Sequence, residues 1–174
     1  MLLETIIIVV YSSALLMIFA YALSQLNLLF NYLSSKKREV SRELLDTSNP
    51  DKVPFVTIQL PVYNEKYVME GLLENIALMD YPKERLEIQV LDDSTDESVD
   101  TTAKQIKELQ KSGLDIQHIL REDRTGFKAG ALKAGLNTAK GEFIAIFDAD
   151  FLPKTDWLRA TIPHFEDPNI GVVQ

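Results

Sequence analysis

Cysteine is absent from the 174-residue chain. That removes disulfide frameworks, thiolate zinc sites and cysteine nucleophiles together, and leaves oxygen or histidine ligands for any metal. Histidine is scarce too: His118 and His164 are the only two, without ligand spacing or a neighbouring nucleophile, and both read as core or surface residues. No Gly-x-Ser-x-Gly elbow occurs, so triad hydrolysis lacks its serine. Neither GxxxxGK[ST] nor GxGxxG occurs, which gives an ATPase or a dehydrogenase no support. Basic charge is in deficit, with 18 Lys and Arg against 26 Asp and Glu and a net −8. A nucleic-acid partner is therefore not expected. Only 7 Gly and 7 Pro stand among 46% hydrophobic residues, which excludes collagen-like and disordered chains and suits one domain with an appendage.

Charge is missing altogether from Thr5 to Ser35, and the heart of that run, Ile6 to Leu33, is dominated by Ile, Leu, Val, Ala, Phe and Tyr. About 20 such residues span a bilayer core of about 30 Å, so the run is long enough to cross with some tilt. Tyr11, Tyr21 and Tyr32 suit interfaces or packing. A cleaved signal peptide is the competing reading, since Ala20-Tyr21-Ala22 resembles a cleavage site. The residues before the run, however, hold Glu4 and no Lys or Arg, the wrong sign for a signal. Lys36, Lys37, Arg38 and Arg42 follow with Glu39. By the positive-inside bias this flank stays in the cytosol, which puts the N-terminus outside and everything from residue 36 inside. Residues 1–35 are thus expected to be a transmembrane anchor and 36–52 a basic collar and linker, with a cytosolic body over 53–174.

Within the body, short apolar runs of strand length lie at Phe55 to Leu60, ended by Pro61, and at Glu87 to Leu91, Ile116 to Leu120 and Phe143 to Phe147. Helical patterns lie between them at Lys66 to Met79, Glu97 to Lys111 behind a Ser94/Glu97 capping box, Ala129 to Ala139 and Asp156 to His164. Trp157 falls on an apolar helical face and reads as packing. Alternating strands and helices predict an α/β fold, a mostly parallel sheet covered on both faces, with ligands outside the carboxyl ends of its strands.

Every one of those ends is polar: Pro61-Val62-Tyr63-Asn64-Glu65, Asp92 to Asp96, Arg121 to Lys128, and Asp148-Ala149-Asp150. Together they predict one acidic site with a few cations. In extended chain Asp148 and Asp150 project to one side, and two hard oxygens at a cleft suit Mg²⁺ or Mn²⁺ with a substrate's phosphates. A simple turn or helix cap is the alternative. Asp92 and Asp93 either cap the next helix or, if Ser94/Glu97 does that, stay free for a ligand's donors. The segment from Arg121 to Lys128 is either a solvated basic loop or, with Arg124 and Lys128 at a helix start, a seat for a diphosphate.

The segments TIQLPVYNE, IQVLDDSTDES, REDRTGFKAGALKAGL, FIAIFDADFLP and GVVQ, in that order over residues 57–174, resemble the donor-binding half of family 2 glycosyltransferases. Cellulose-synthase-like and glucomannan mannosyltransferase-like membrane synthases are particularly similar. The resemblance implies a nucleotide-binding GT-A fold, Rossmann-like, after a transmembrane helix. It implies Tyr63 and Glu65 near the base and ribose, Asp93 with Asp92 on the base, and Lys128 at the donor diphosphate. It further implies Asp150 as ligand of a divalent cation, Mg²⁺ or Mn²⁺, with Asp148 closer to the ribose or metal-bound water. The function it implies is inverting transfer of a hexose from a UDP-glucose or GDP-mannose type donor to a growing β-glycan at the membrane lipid.

The family's base, in a Thr/Ser-Glu-Asp motif, and its acceptor motif Gln-x-x-Arg-Trp come later than Gln174. No catalytic base is therefore assigned, and Asp156, Glu166 and Asp167 match none. The chain is expected to be the N-terminal part of a synthase, with Val172-Val173 as an exposed strand edge. Two other functions stay open: transfer to a lipid acceptor of the dolichyl phosphate or ceramide type, and nucleotide-sugar binding without catalysis. A nucleotidyltransferase would need a glycine-rich loop where Pro61-Val62-Tyr63 stands.

Overall fold

A computed structural model describes residues 2–35 and 43–174. The expected collar of Lys36, Lys37, Arg38 and Arg42 lies outside the described residues. The chain divides into two compact units, Met1–Ser41 and Arg42–Gln174.

The first unit holds one helix, α1 (Leu2–Ser35). Its best 18-residue window has a mean hydropathy of 2.4 and buries none of its residues within the unit. At about 1.5 Å per residue it is long and apolar enough to cross a bilayer. Polar side chains inside it find partners one turn away: Ser13 Oγ donates to the Val9 carbonyl at 2.8 Å and Asn31 Nδ2 to Asn27 Oδ1 at 3.0 Å. That is how a helix satisfies such groups without water.

In the second unit β1 (Val56–Val62), β2 (Leu86–Asp92), β3 (Asp115–Leu120) and β4 (Phe143–Ile146) form one parallel sheet in the order β3-β2-β1-β4. The helices are α2 (Met69–Ala77), α3 (Ser98–Lys111), α4 (Phe127–Leu136) and α5 (Trp157–Thr161). The α/β expectation holds, and each expected strand and helix is present. The fourth helix is shorter than its pattern, because the chain tightens into a 3-10 turn over Ile162–Glu166 around Pro163. Residues 171–174 form no strand among the described residues, and Val172 is exposed.

Pro61 does not end the first strand. Gln59 accepts from the Phe147 N–H at 3.2 Å, so alternate residues of β1, Pro61 among them, turn their backbone groups toward β4. The β1–β4 register stops at Gln59↔Ile146, and the proline's missing N–H has no acceptor to disappoint. On its other side Val62 still accepts from Asp93 N at 3.0 Å.

The two faces of the sheet differ. Val56, Ile58, Leu60, Ile88, Val90 and Ile116 face the apolar side, packed by Leu72, Leu73 and Ile76 of α2 and Ile106 of α3. Thr57, Gln59, Glu87 and Gln89 are equally buried on the opposite face. There they pair across strands: Thr57 Oγ1 donates to Glu87 Oε2 at 2.7 Å, Gln59 Nε2 to Gln89 Oε1 at 3.0 Å and Gln117 Nε2 to Glu87 Oε1 at 2.9 Å. Lys140 N and Gly141 N close the network onto Glu87 and Thr57. Helix α4 covers this polar face with its small residues, Ala131 and Gly135 being buried.

The stretch over residues 43–52 is docked on the body. Leu45 N donates to the Arg159 carbonyl at 2.9 Å and Arg159 Nε to the Leu45 carbonyl at 3.0 Å. Burial pushes up the pKa of Tyr81, whose phenol donates to the Pro54 carbonyl at 2.6 Å.

Candidate functional site

The carboxyl ends of β1, β2 and β4 and the start of α4 enclose a cavity of about 520 Å³, lined by Tyr63, Glu65, Asp93, Lys128, Asp148 and Asp150 among others. All of the singled-out residues but Asp92 share that lining. Asp92 sits behind it, 2% exposed. A second concavity of the same volume, on α3 among Lys104, Lys107 and Glu108, contains no strand-end residue.

Asn64 ties the first two strand ends together. It holds a left-handed φ of 56°, which asparagine tolerates. Its N–H donates to Ser94 Oγ at 2.8 Å and its Oδ1 accepts from Thr95 N at 2.9 Å. These bonds replace the expected capping box: Ser94 serves Asn64, Glu97 pairs with Lys66, and Asp96 Oδ1 accepts from Ser98 N at 3.0 Å at the start of α3.

The two aspartates after β2 are not free. The His118 Nε2–H donates to Asp92 Oδ2 at 2.8 Å and Ser94 N to its Oδ1 at 2.9 Å. Burial works to raise the Asp92 pKa, but these hydrogen bonds outweigh it and hold the carboxyl below its ordinary value. Asp93, 7% exposed, is gripped through both oxygens by Arg121, whose Nε donates to Oδ1 at 2.8 Å and whose Nη2 bonds Oδ2. Each oxygen keeps further acceptor capacity, and Asp93 is among the residues that line the cavity. The bond to Asp93 raises the pKa of Arg121 further.

Arg121 also organises the loop before α4, donating to the carbonyls of Thr125 and Phe127, each at 3.1 Å. The loop turns on Gly126, φ 78°, and on Phe127, φ 47°, an uncommon value for an aromatic residue. Gly130 is required where it packs, since a Cβ there would stand 2.0 Å from the Thr125 carbonyl oxygen. No side chain caps α4. Lys128, in its first turn, pairs with Asp148. Asp148 to Phe151 is a turn closed by Phe151 N on the Asp148 carbonyl at 3.0 Å, not the extended pair expected, yet both carboxylates line the cavity.

Sequence patterns did not single out Arg121, Asn64 or His118 as members of this constellation, because their partners lie about 30 residues away in the chain. Trp157 packs edge-on to Phe147 with ring centroids 4.9 Å apart, as its pattern suggested. Among the described residues no group of three or more His, Cys, Asp or Glu is placed to hold a metal. Asp148 and Asp150 offer two carboxylates beside open volume, a donor set that fits a hard cation completed by a ligand's own oxygens.

A family model described as Glycosyl transferase family 2 matches residues 57–174. The chain is 42% identical over 126 residues to the probable glucomannan 4-beta-mannosyltransferase 4 of Oryza sativa subsp. japonica, covering 70% of this chain and 23% of that protein. It is likewise 42% identical over 141 residues to glucomannan 4-beta-mannosyltransferase 2 of Arabidopsis thaliana, covering 76% and 25%. The chain thus spans about a quarter of the length of these curated relatives. Among solved structures it is similar to the mannosyltransferase PcManGT of Pyrobaculum calidifontis in complex with GDP-Man and Mn²⁺, with a TM-score of 0.62 and 33% identity over 82% of this chain and 41% of that one.

Proposed function

The chain belongs to glycosyltransferase family 2, and on that premise we propose that its body binds a nucleoside-diphosphate hexose, GDP-mannose, and serves inverting transfer of the sugar to a growing β-glycan at the membrane. One observation carries this reading: Tyr63, Asp93, Lys128, Asp148 and Asp150 line a single cavity. The mannosyltransferase relatives and the GDP-Man complex of the Pyrobaculum enzyme support GDP-mannose over UDP-glucose.

In this reading Tyr63 and Glu65 border the base and ribose, and Asp93, held still by Arg121, accepts from the base. An acceptor hydroxyl attacks the sugar's anomeric carbon and gives its proton to a general base, a role to which no residue of this chain is assigned, while the bond to the diphosphate breaks and its electron pair leaves with the nucleoside diphosphate. Lys128 is placed to meet the negative charge that develops on that leaving group. Asp150 and Asp148 would hold a divalent cation, Mg²⁺ or Mn²⁺, which when bound supplies further positive charge to the diphosphate. Lys128 must release Asp148 as this happens; both side chains are more than half exposed, so the pair costs little to open.

The orientation proposed has the N-terminus outside and the body in the cytosol, supported by the four basic residues after α1 in the sequence.

Isothermal titration of the detergent-extracted chain with GDP-mannose and UDP-glucose, with and without Mn²⁺, tests the donor. GDP-mannose is expected to bind only with the metal, and Asp150→Asn to lose that metal-dependent binding while the chain keeps its fold. Metal-independent binding, or wild-type binding by Asp150→Asn, contradicts the assignment.

A further inference from the structure

The face of Tyr63 is already covered. Cζ of Arg124 stands 3.4 Å from the centroid of its ring, van der Waals contact, and 5.4 Å from that of Phe127. A planar cation therefore lies in an aromatic clamp that borders the cavity. Hydrogen bonds do not hold it there: Arg124 Nε is buried without a partner, and the nearest carboxylate oxygen, Asp93 Oδ2, is 3.9 Å away and already taken by Arg121. Its position rests on ring contact and on the longer-range attraction of Asp93, while its buried Nε donates to nothing.

A nucleobase and a guanidinium cannot share one ring face at stacking distance. If Tyr63 is the platform for a base, a donor must displace Arg124 to use that face. The displaced side chain starts four residues before Lys128, in the loop that leads into α4, and lines the same cavity, so phosphates lying beside that lysine are the nearest anionic target for it. We propose that Arg124 is a donor-binding residue with two positions, on Tyr63 in the free protein and on the donor's diphosphate once the base has taken the ring. This rests on the nucleotide-sugar reading of the site. It makes one residue oppose the nucleoside and favour the diphosphate, which raises discrimination for the phosphorylated ligand.

The test compares nucleoside with nucleoside diphosphate, using guanosine and GDP, and uridine and UDP, titrated with Mg²⁺ into the detergent-extracted full chain. Arg124→Gln is expected to bind the nucleoside about two- to fivefold more tightly, the value of an exposed cation–π contact. Its preference for diphosphate over nucleoside is expected to fall about tenfold or more, as for a lost charge-assisted hydrogen bond. Arg124→Lys keeps a cation but gives up the planar stack, so it tightens nucleoside binding and retains most of the diphosphate preference. An unchanged preference in Arg124→Gln overturns the phosphate position, and weaker nucleoside binding overturns the covering position. A wild-type chain that binds neither diphosphate overturns the nucleotide-sugar reading as well, an outcome distinct from either.

Discussion

Asp92 shows how a residue can serve a site without facing it. Its carboxylate is buried behind the cavity and held charged by His118 and by the Ser94 N–H, so it fixes the backbone from which Asp93 projects. A carboxyl whose folded pKa is depressed binds its proton more readily when unfolded. Its contribution to stability is complete above the unfolded value of about 3.9 and is lost as pH falls through the lower folded value. Denaturant titrations between pH 2 and 6 should show stability falling in that acid window, and Asp92→Asn should be less stable near neutrality with a shallower acid slope. An equal slope in the two proteins would remove Asp92 from this role. At this scale the meeting of Tyr63, Glu65, Asp93, Asp148 and Asp150 at one cavity was legible in the sequence, because residues straight after parallel strands share one edge, and Lys128 was legible as a cation at the start of the helix that follows β3. The grip of Arg121 on Asp93 and the stacking of Arg124, itself noted beside Lys128, on Tyr63 were not, since both contacts depend on a loop bent by positive φ at Gly126 and Phe127. The Ser94/Glu97 spacing misled for a related reason: local spacing cannot register Asn64 and Lys66, which take those side chains from the neighbouring strand end.

Among the elements, α4 is the one whose sequence its packing explains most directly. It lies on the polar face of the sheet, where Gln59 and Gln89 pair beneath it, and a Cβ at Gly135 would stand 2.6 Å from Gln59 Nε2 and 2.8 Å from both Gln89 Oε1 and Leu91 Cδ2. Gly135→Ala must therefore lift the helix or break the glutamine pair, at a cost of about 1–3 kcal/mol. That exceeds the gain of about 1 kcal/mol that alanine brings to a helix. Gly71, in α2, has nothing within 4 Å of its hypothetical Cβ, so Gly71→Ala should stabilise by about 0.5–1 kcal/mol. Chemical denaturation of the two variants should move the midpoint in opposite directions, and a shift of the same sign in both would show that α4 is not set by this contact. The strands were legible as strands from their apolar runs, but the alternation in Thr57-Ile58-Gln59-Leu60 and Glu87-Ile88-Gln89-Val90 carried more. It marks one apolar and one polar buried face, a pattern ordinarily read as a strand with a solvated side.

For the molecule as a whole, charge is partitioned along the chain: an uncharged helix of 34 residues less its first three, then a basic stretch, then a body with 14 basic and 24 acidic residues from Glu43 onward. A bilayer resists burying charge and an inward flank attracts Lys and Arg, which is the argument behind the proposed single crossing with the body on the cytosolic side. The absence of cysteine makes this directly measurable, because any thiol introduced is the only one. Leu2→Cys at the start of α1 and Glu108→Cys on α3 replace exposed side chains, and neither touches the cavity. In intact cells a membrane-impermeant maleimide should label the first and spare the second, which should react only after permeabilisation. The reverse pattern would invert the orientation and place the nucleotide site away from the cytosolic nucleotide-sugar pool that the proposed reaction requires. Labelling of both in intact cells would mean that the helix does not cross, and the anchor would then have to be an interfacial helix despite having no charged face to leave in water.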